Sequence, residues 1–170
     1  MNIALYGLVD ATHAESVAVA VCDVLGYGSN NNAHVLILET AAQETQLGHY
    51  LDHTWRSAGM GLTQVDFSTF NWLQNEKFER YQAKVKHAFG VDLMQVQWEE
   101  LDQSPLLAFI VCRIRYLVVP NPIPTSVNWR ARYWKQHYNT QAGKGKPSEY
   151  IENAKRYAHY IPQSEQLCTG

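Results

Sequence analysis

The sequence predicts a mainly α-helical domain with one small β-hairpin or extended turn, and three observations carry that expectation. Helix start and stop signals recur along most of the chain. Only one stretch, SAGMGLTQV at residues 57–65, is short, glycine-punctuated and extended in character. The most apolar run, residues 106–119, has the length of a core helix. It falls short of the roughly 20 residues that cross a bilayer, and it carries Arg113 and Arg115. With 170 residues, 46% of them hydrophobic, the chain fits a single domain, residues 1–170, with enough material for a real core.

Each element has a local justification. Thr12-His13-Ala14-Glu15 has capping-box form, so a first helix is expected over residues 12–25, stopped by Gly26. Asn30, Asn31 and Asn32 offer N-caps for a second helix over residues 33–47, closed by Gly48. Asp66 or Ser68 caps a third, carrying Phe70, Leu73, Phe78, Tyr81 and Val85, and a shorter helix covers residues 93–101. Ser104 and Pro105 then supply the N-cap and first-turn proline of the apolar helix. Pro120, Pro122 and Pro124 forbid helix. The C-terminal segment beyond these prolines is too small for an independent core, so VPNPIPTS reads as a connector within the domain. A helix over residues 126–138, the loop NTQAGKGK and a last helix over residues 147–160 complete the chain.

Composition excludes several classes. The balance of 14 Lys and Arg against 16 Asp and Glu gives a net charge of −2, without the basic footprint of a phosphate-tracking protein, so no nucleic-acid partner is expected. Hydrophobic content and low charge exclude disorder. The N-terminus, MNIALYGLVDATHAES, lacks a basic segment leading into a long apolar one, so no signal peptide and no membrane insertion are expected, and synthesis is assigned to a cytoplasm. Cys22, Cys112 and Cys168 are odd in number and lack metal-like spacing; Cys22 and Cys112 read as small buried hydrophobes.

One glutamate is out of place. At about 100° per residue, with Val35 at zero, Gln46, Glu39 and Gln43 cluster between about 20° and 80° and form the polar stripe of the second helix. Glu39 is therefore where a solvated glutamate belongs. Glu44 falls near about 180°, beside Ile37, Ala41 and Thr40. Apolar neighbours and the negative end of the helix dipole both disfavour its charged form, and a carboxyl protonated near neutral pH is what a general acid requires. A cross-fold ion pair with Arg56 is the structural alternative.

The surrounding residues add a resemblance. QETQLG at residues 43–48, with GMGLTQVDFSTF after it at residues 59–70, resembles the signature of the lysozyme-like lytic transglycosylases, in which a Gln-Glu-Ser-like helix end precedes a Gly-Leu-Met-Gln-like turn. Here Thr45 stands at the serine and Thr63 at the methionine. Tyr138-Asn139-Thr140-Gln141-Ala142-Gly143 is similar to a third family element, Tyr-Asn-Ala-Gly, with two residues inserted. The wording looks most like phage-encoded members, and the likeness covers roughly residues 33–160. It implies a lysozyme-like α+β fold with the turn beside an active-site cleft. The implied activity is cleavage of the β-1,4 bond between N-acetylmuramic acid and N-acetylglucosamine in peptidoglycan, with a 1,6-anhydro product. Glu44 would be the single acid and base. Thr45, Gly61, Leu62, Gln64, Tyr138 and Asn139 would bind or position the glycan strand. No cofactor or metal enters this chemistry. A phage origin further implies synthesis in a host cytoplasm, and leaves two roles open: a place in the virion beside other virion proteins, or action from inside the host at lysis.

Two rivals stay open. A muramidase would need a second carboxylate, spaced roughly 6.5–9.5 Å from the first for inversion and 5–5.5 Å for retention. Asp52 is the leading candidate; Asp66 is better explained as a helix cap. A virion or tail component that binds wall without turnover is the non-enzymatic rival, and a chitinase-like activity is a lesser one. His49 and His53 lie four apart but bring no third ligand, and Gly143-Lys144-Gly145-Lys146 lacks phosphate-loop spacing. Trp129 and Tyr133 share one face of their helix and Trp134 and Tyr138 another, so one pair is free to border a sugar cleft while core packing remains the alternative. Trp55 and Trp72 carry the same ambiguity.

Overall fold

The computed structural model describes residues 5–51 and 59–158. Within them the protein is mainly helical. Helix α1 spans Ala11–Leu25, α2 Ala33–Thr45, α3 Phe67–Leu73, α4 Glu79–Phe89, α5 Pro105–Leu117, α6 Val127–Trp134 and α7 Pro147–Tyr157. Short 3-10 turns cover Glu76–Phe78 and Trp98–Gln103, and a π-helical turn, Lys135–Asn139, extends α6. The extended pairing expected near residues 57–65 amounts to a single antiparallel bridge between Met60 and Val65 among the described residues. No helix among them is long and apolar enough to cross a membrane.

Several element ends differ from expectation for identifiable reasons. Asp10, rather than Thr12, caps α1: its carboxylate accepts the His13 N–H at 2.7 Å, and the Thr12 side chain is left inside the first turn. Helix α2 ends two residues before the expected boundary, because Gln46 and Leu47 already adopt left-handed backbone (φ 50° and 52°) ahead of Gly48. The expected single helix after Asp66 is broken. Asn75 accepts the Lys77 N–H on its side chain and restarts the chain as a 3-10 turn before α4. The segment expected as a helix over residues 93–101 is replaced by the later 3-10 turn, while α5 begins at the Ser104–Pro105 signal as expected.

Helix α2 is the buried axis of the molecule. It packs against α1, α5 and α7, and ten of its residues, from Ala33 to Thr45, are buried. Its apolar face joins Ala14, Ala18 and Val21 of α1 and Phe109, Ile110 and Ile114 of α5 in the main core. Its polar stripe is not solvated, which corrects the reading of Glu39. Glu39 is only 4% exposed, and Arg130 of α6 holds it with two bonds of 2.7 Å, Nε to Oε2 and Nη2 to Oε1. Tyr150 of α7 donates a third to Oε2 at 2.8 Å. One and two turns on, Asn153 donates to Gln43 (2.9 Å) and Tyr157 to Gln46 (3.1 Å). The stripe is a ladder of hydrogen bonds between two helices running in the same direction.

A bidentate carboxylate–guanidinium pair with a phenol on the remaining lone pair offsets the desolvation of both charges. Removing one partner leaves the other ion buried without compensation. Glu39→Ala is therefore expected to lower the urea-unfolding free energy by about 3–5 kcal/mol. Lys86→Ala, which breaks the solvent-exposed Lys86–Asp92 pair, is expected to leave the midpoint unchanged in the same titration.

Candidate active site

Five residues beyond Glu39, on the opposite side of α2, Glu44 meets different surroundings. It is half-buried at the C-terminal turn, and among the described residues the one side chain bonded to it is Trp134, whose indole N–H donates to Oε1 at 3.0 Å. No cation among the described residues pairs with it; Arg56 lies outside them. Burial pushes the carboxyl up from 4.5 to about 7, and the indole hydrogen bond pulls weakly the other way. Trp134 is itself fully buried, tilted against Tyr150 with ring centroids 5.3 Å apart. The Glu39 ladder and the Glu44 contact thus meet in one aromatic pair.

Glu44 lines a cavity of about 290 Å³ together with Gly59, Gln64, Val65, Asp66, Thr69, Arg115, Tyr138, Asn139 and Gly143. The turn on one wall is locked from beneath. The Thr45 hydroxyl donates to the Leu62 carbonyl (2.8 Å), the Tyr138 hydroxyl to the Thr63 carbonyl (2.8 Å), and Thr63 to the Ala108 carbonyl (3.3 Å). Gly61 has φ +77°, and a Cβ there would stand 2.6 Å from the Leu101 carbonyl oxygen, so the turn requires glycine. Its N–H is received by Asp102 at 2.7 Å.

The expected site residues therefore divide. Glu44, Gln64, Tyr138 and Asn139 converge on the cavity, although sequence separates the first from the last by most of the chain. Thr45 and Leu62 are fully buried, and with Gly61 they hold the turn in place rather than line the cavity. Asp52 lies outside the described residues, as do Trp55 and His53. Asn139 is fixed by Lys135, whose ammonium donates to Asn139 Oδ1 and to the Gly143 carbonyl, both at 2.7 Å. Gln64 Nε2 donates to the Gly61 carbonyl at 2.8 Å. Tyr138 stacks on Tyr116 at 5.2 Å; burial holds its phenol well above the usual value, so it stays a donor. It reaches the cavity from the π-helical turn.

Asp66 does cap α3, through Thr69 N–H at 2.8 Å, as the sequence suggests, but it also lines the cavity. Burial pushes its carboxyl up, and the bonds from Ser68 and Thr69 outweigh that and hold it below the usual carboxylate value. Sequence reasoning missed Thr69, Arg115 and the role of Trp134. Arg115 had a signal, as a charge interrupting the apolar run; Trp134 had none, because its partner is decided by how α6 crosses α2. Of the aromatic candidates, Tyr133 is buried and donates to the Asn121 carbonyl, while Trp129 is 60% exposed beneath the Arg132 guanidinium. Neither lines the cavity.

No protein-family model matches the chain, and no significant match is found among curated proteins or solved structures.

Two measurements test the electrostatics. The Trp134 indole favours the carboxylate form, so Trp134→Phe is expected to raise the Glu44 pKa above about 7, read by carbon NMR titration of the side-chain carboxyl. Folded Glu44 binds its proton up to about 7, whereas an unperturbed glutamate loses it near 4.5. The folded state thus carries the extra proton between these values, and wild-type stability declines as pH rises through that window. Glu44→Gln removes the decline: its stability relative to wild type is expected to increase between pH 4.5 and 7 by as much as about 3 kcal/mol, then level off.

Proposed function

We propose that the protein is a peptidoglycan lytic transglycosylase of lysozyme-like fold, phage-type by its QET…GLTQ wording, with Glu44 as the sole acid and base. The observation that supports this most is a carboxyl raised to about 7 by burial, without a cationic partner among the described residues, on the wall of a polar cavity. Such a carboxyl is protonated in a large fraction of molecules at neutral pH, and its conjugate base is strong enough to take a proton back. Glu44 protonates the glycosidic oxygen between muramic acid and glucosamine as the C1–O bond breaks. The carboxylate so formed removes the proton of the muramic acid 6-hydroxyl, whose oxygen bonds to C1. The released ends are a free 4-hydroxyl and a 1,6-anhydro sugar, and no water is consumed. Gln64, Tyr138 and Asn139 hold the strand across the cavity.

One observation favours a hydrolytic second reading. The ionised Asp66 shares the cavity with the protonatable Glu44, and a pair of carboxyl groups driven apart in pKa is what a muramidase uses. Against it, both Asp66 oxygens are engaged by Ser68 and Thr69. Asp52 plays that part in the other form of the reading.

Digestion of purified peptidoglycan separates the readings. Anhydro-muramyl products are expected from the wild type, and Glu44→Gln is expected to cut their release at least about a hundredfold. Reducing ends lost on Asp66→Asn or Asp52→Asn would replace the transglycosylase by a hydrolase. Wall binding without any released sugar would replace both by a binding protein.

A further inference from the structure

The cavity at Glu44 has Thr69 and Arg115 on its rim. These two residues also line a second cavity of about 310 Å³, whose other walls are Ser68 and Trp72. The two spaces share that rim, so Glu44 lies on one side of the Thr69–Arg115 junction and the Trp72 ring on the other. Arg115 stands at the junction, half-buried on the last turn of α5, with its guanidinium carbon 5.9 Å from the ring centre. The Lys77 ammonium approaches the same ring at 4.2 Å.

Arg115 differs from the buried arginines of the protein. Arg130 is held by Glu39, and Arg113 donates to the Gly26 carbonyl at 2.9 Å. Arg115 makes no hydrogen bond or ion pair with any described residue. A guanidinium carries five donors and stays charged, so a half-buried one calls for an acceptor. Among the described residues around it, none accepts from it. His137 is pushed down by burial and by Arg115 itself, and an imidazole offers no anion. Asp66 has its oxygens engaged by Ser68 and Thr69. Asp66 is turned to its own helix cap and makes no ion pair with Arg115, so the fork is left open on the cavity side, and a ligand carboxylate matches it.

We propose that Arg115 is a specificity-determining residue that binds a carboxylate on the 3-O arm of muramic acid, with Trp72 as the floor beside it. The inference rests on the wall-cleaving function proposed above. A strand cleaved at Glu44 and extended across that junction carries its sugars past Arg115, and of the two wall sugars only muramic acid bears an acidic arm. That carboxylate has two sources: the free lactyl group of a peptide-free strand, or the acidic residues of an attached stem peptide.

The test measures binding by calorimetry to the Glu44→Gln protein, which does not turn over its ligand. Three wall tetrasaccharides serve as ligands: peptide-free with free lactyl carboxylates, the same with those carboxylates methyl-esterified, and peptide-bearing. The free acid or the peptide-bearing form is expected to bind about tenfold more tightly than the ester, and whichever does so identifies the source. Adding Arg115→Gln is expected to erase that preference while leaving the ester within twofold, and Arg115→Lys to restore part of it. A preference that survives Arg115→Gln overturns the proposal, as does a wild-type Arg115 protein that binds all three equally. Failure of every tetrasaccharide to bind overturns the wall-cleaving function itself, and the proposal with it.

Discussion

The rest of the structure depends on burying a helix that is not apolar all round. Helix α2 carries a polar stripe of Glu39, Gln43 and Gln46, and it can be enclosed only if each of these finds a partner. Arg130, Tyr150, Asn153 and Tyr157 supply them, so the C-terminal helices are bound to α2 by matched polar groups as well as by packing. Every later feature of the site depends on that closure. It brings Trp134 over α2, swings Tyr138 under the turn, and seals Glu44 from one side.

The two glutamates of α2 show how the same side chain is set to opposite tasks by its neighbours. Glu39 receives a guanidinium fork and a phenol, so burial is compensated and it serves as a structural anchor. Glu44 receives one indole N–H, so burial is left largely uncompensated and its proton is held to about 7. A cation paired with Glu44 would favour its charged form and remove the acid. Among the described residues the guanidinium on the cavity is that of Arg115, and it makes no ion pair with Glu44.

Much of the helical framework was legible because helix ends are local chemistry. The Ser104–Pro105 start and the Asp66 cap needed only neighbouring residues to be read. Local signals mislead where two of them compete, as at Asp10 against Thr12, or where a side chain such as Asn75 interrupts a helix that periodicity alone would continue. The site was legible in part. Glu44 stood out by its face of the helix, while Thr45 and Leu62, singled out with it, prove to be the fastening between helix and turn. A motif marks residues that must be kept, and does not by itself separate those that touch a ligand from those that hold the ones that do.

Residue order alone marks the chain as mainly helical, puts a glycine-punctuated turn within residues 57–65, and sets Glu44 on an apolar side of its helix. These rest on periodicity, capping and backbone sterics, which act over a few residues. Packing between distant helices is what buries Glu39, makes Trp134 the donor to Glu44, and puts Arg115 and Asp66 on its cavity. Those outcomes depend on desolvation and on hydrogen bonds between groups as far apart as Glu44 and Trp134 or Glu39 and Tyr150. A helical wheel gives the direction of a side chain, but what fills that direction is set by the helix packed against it.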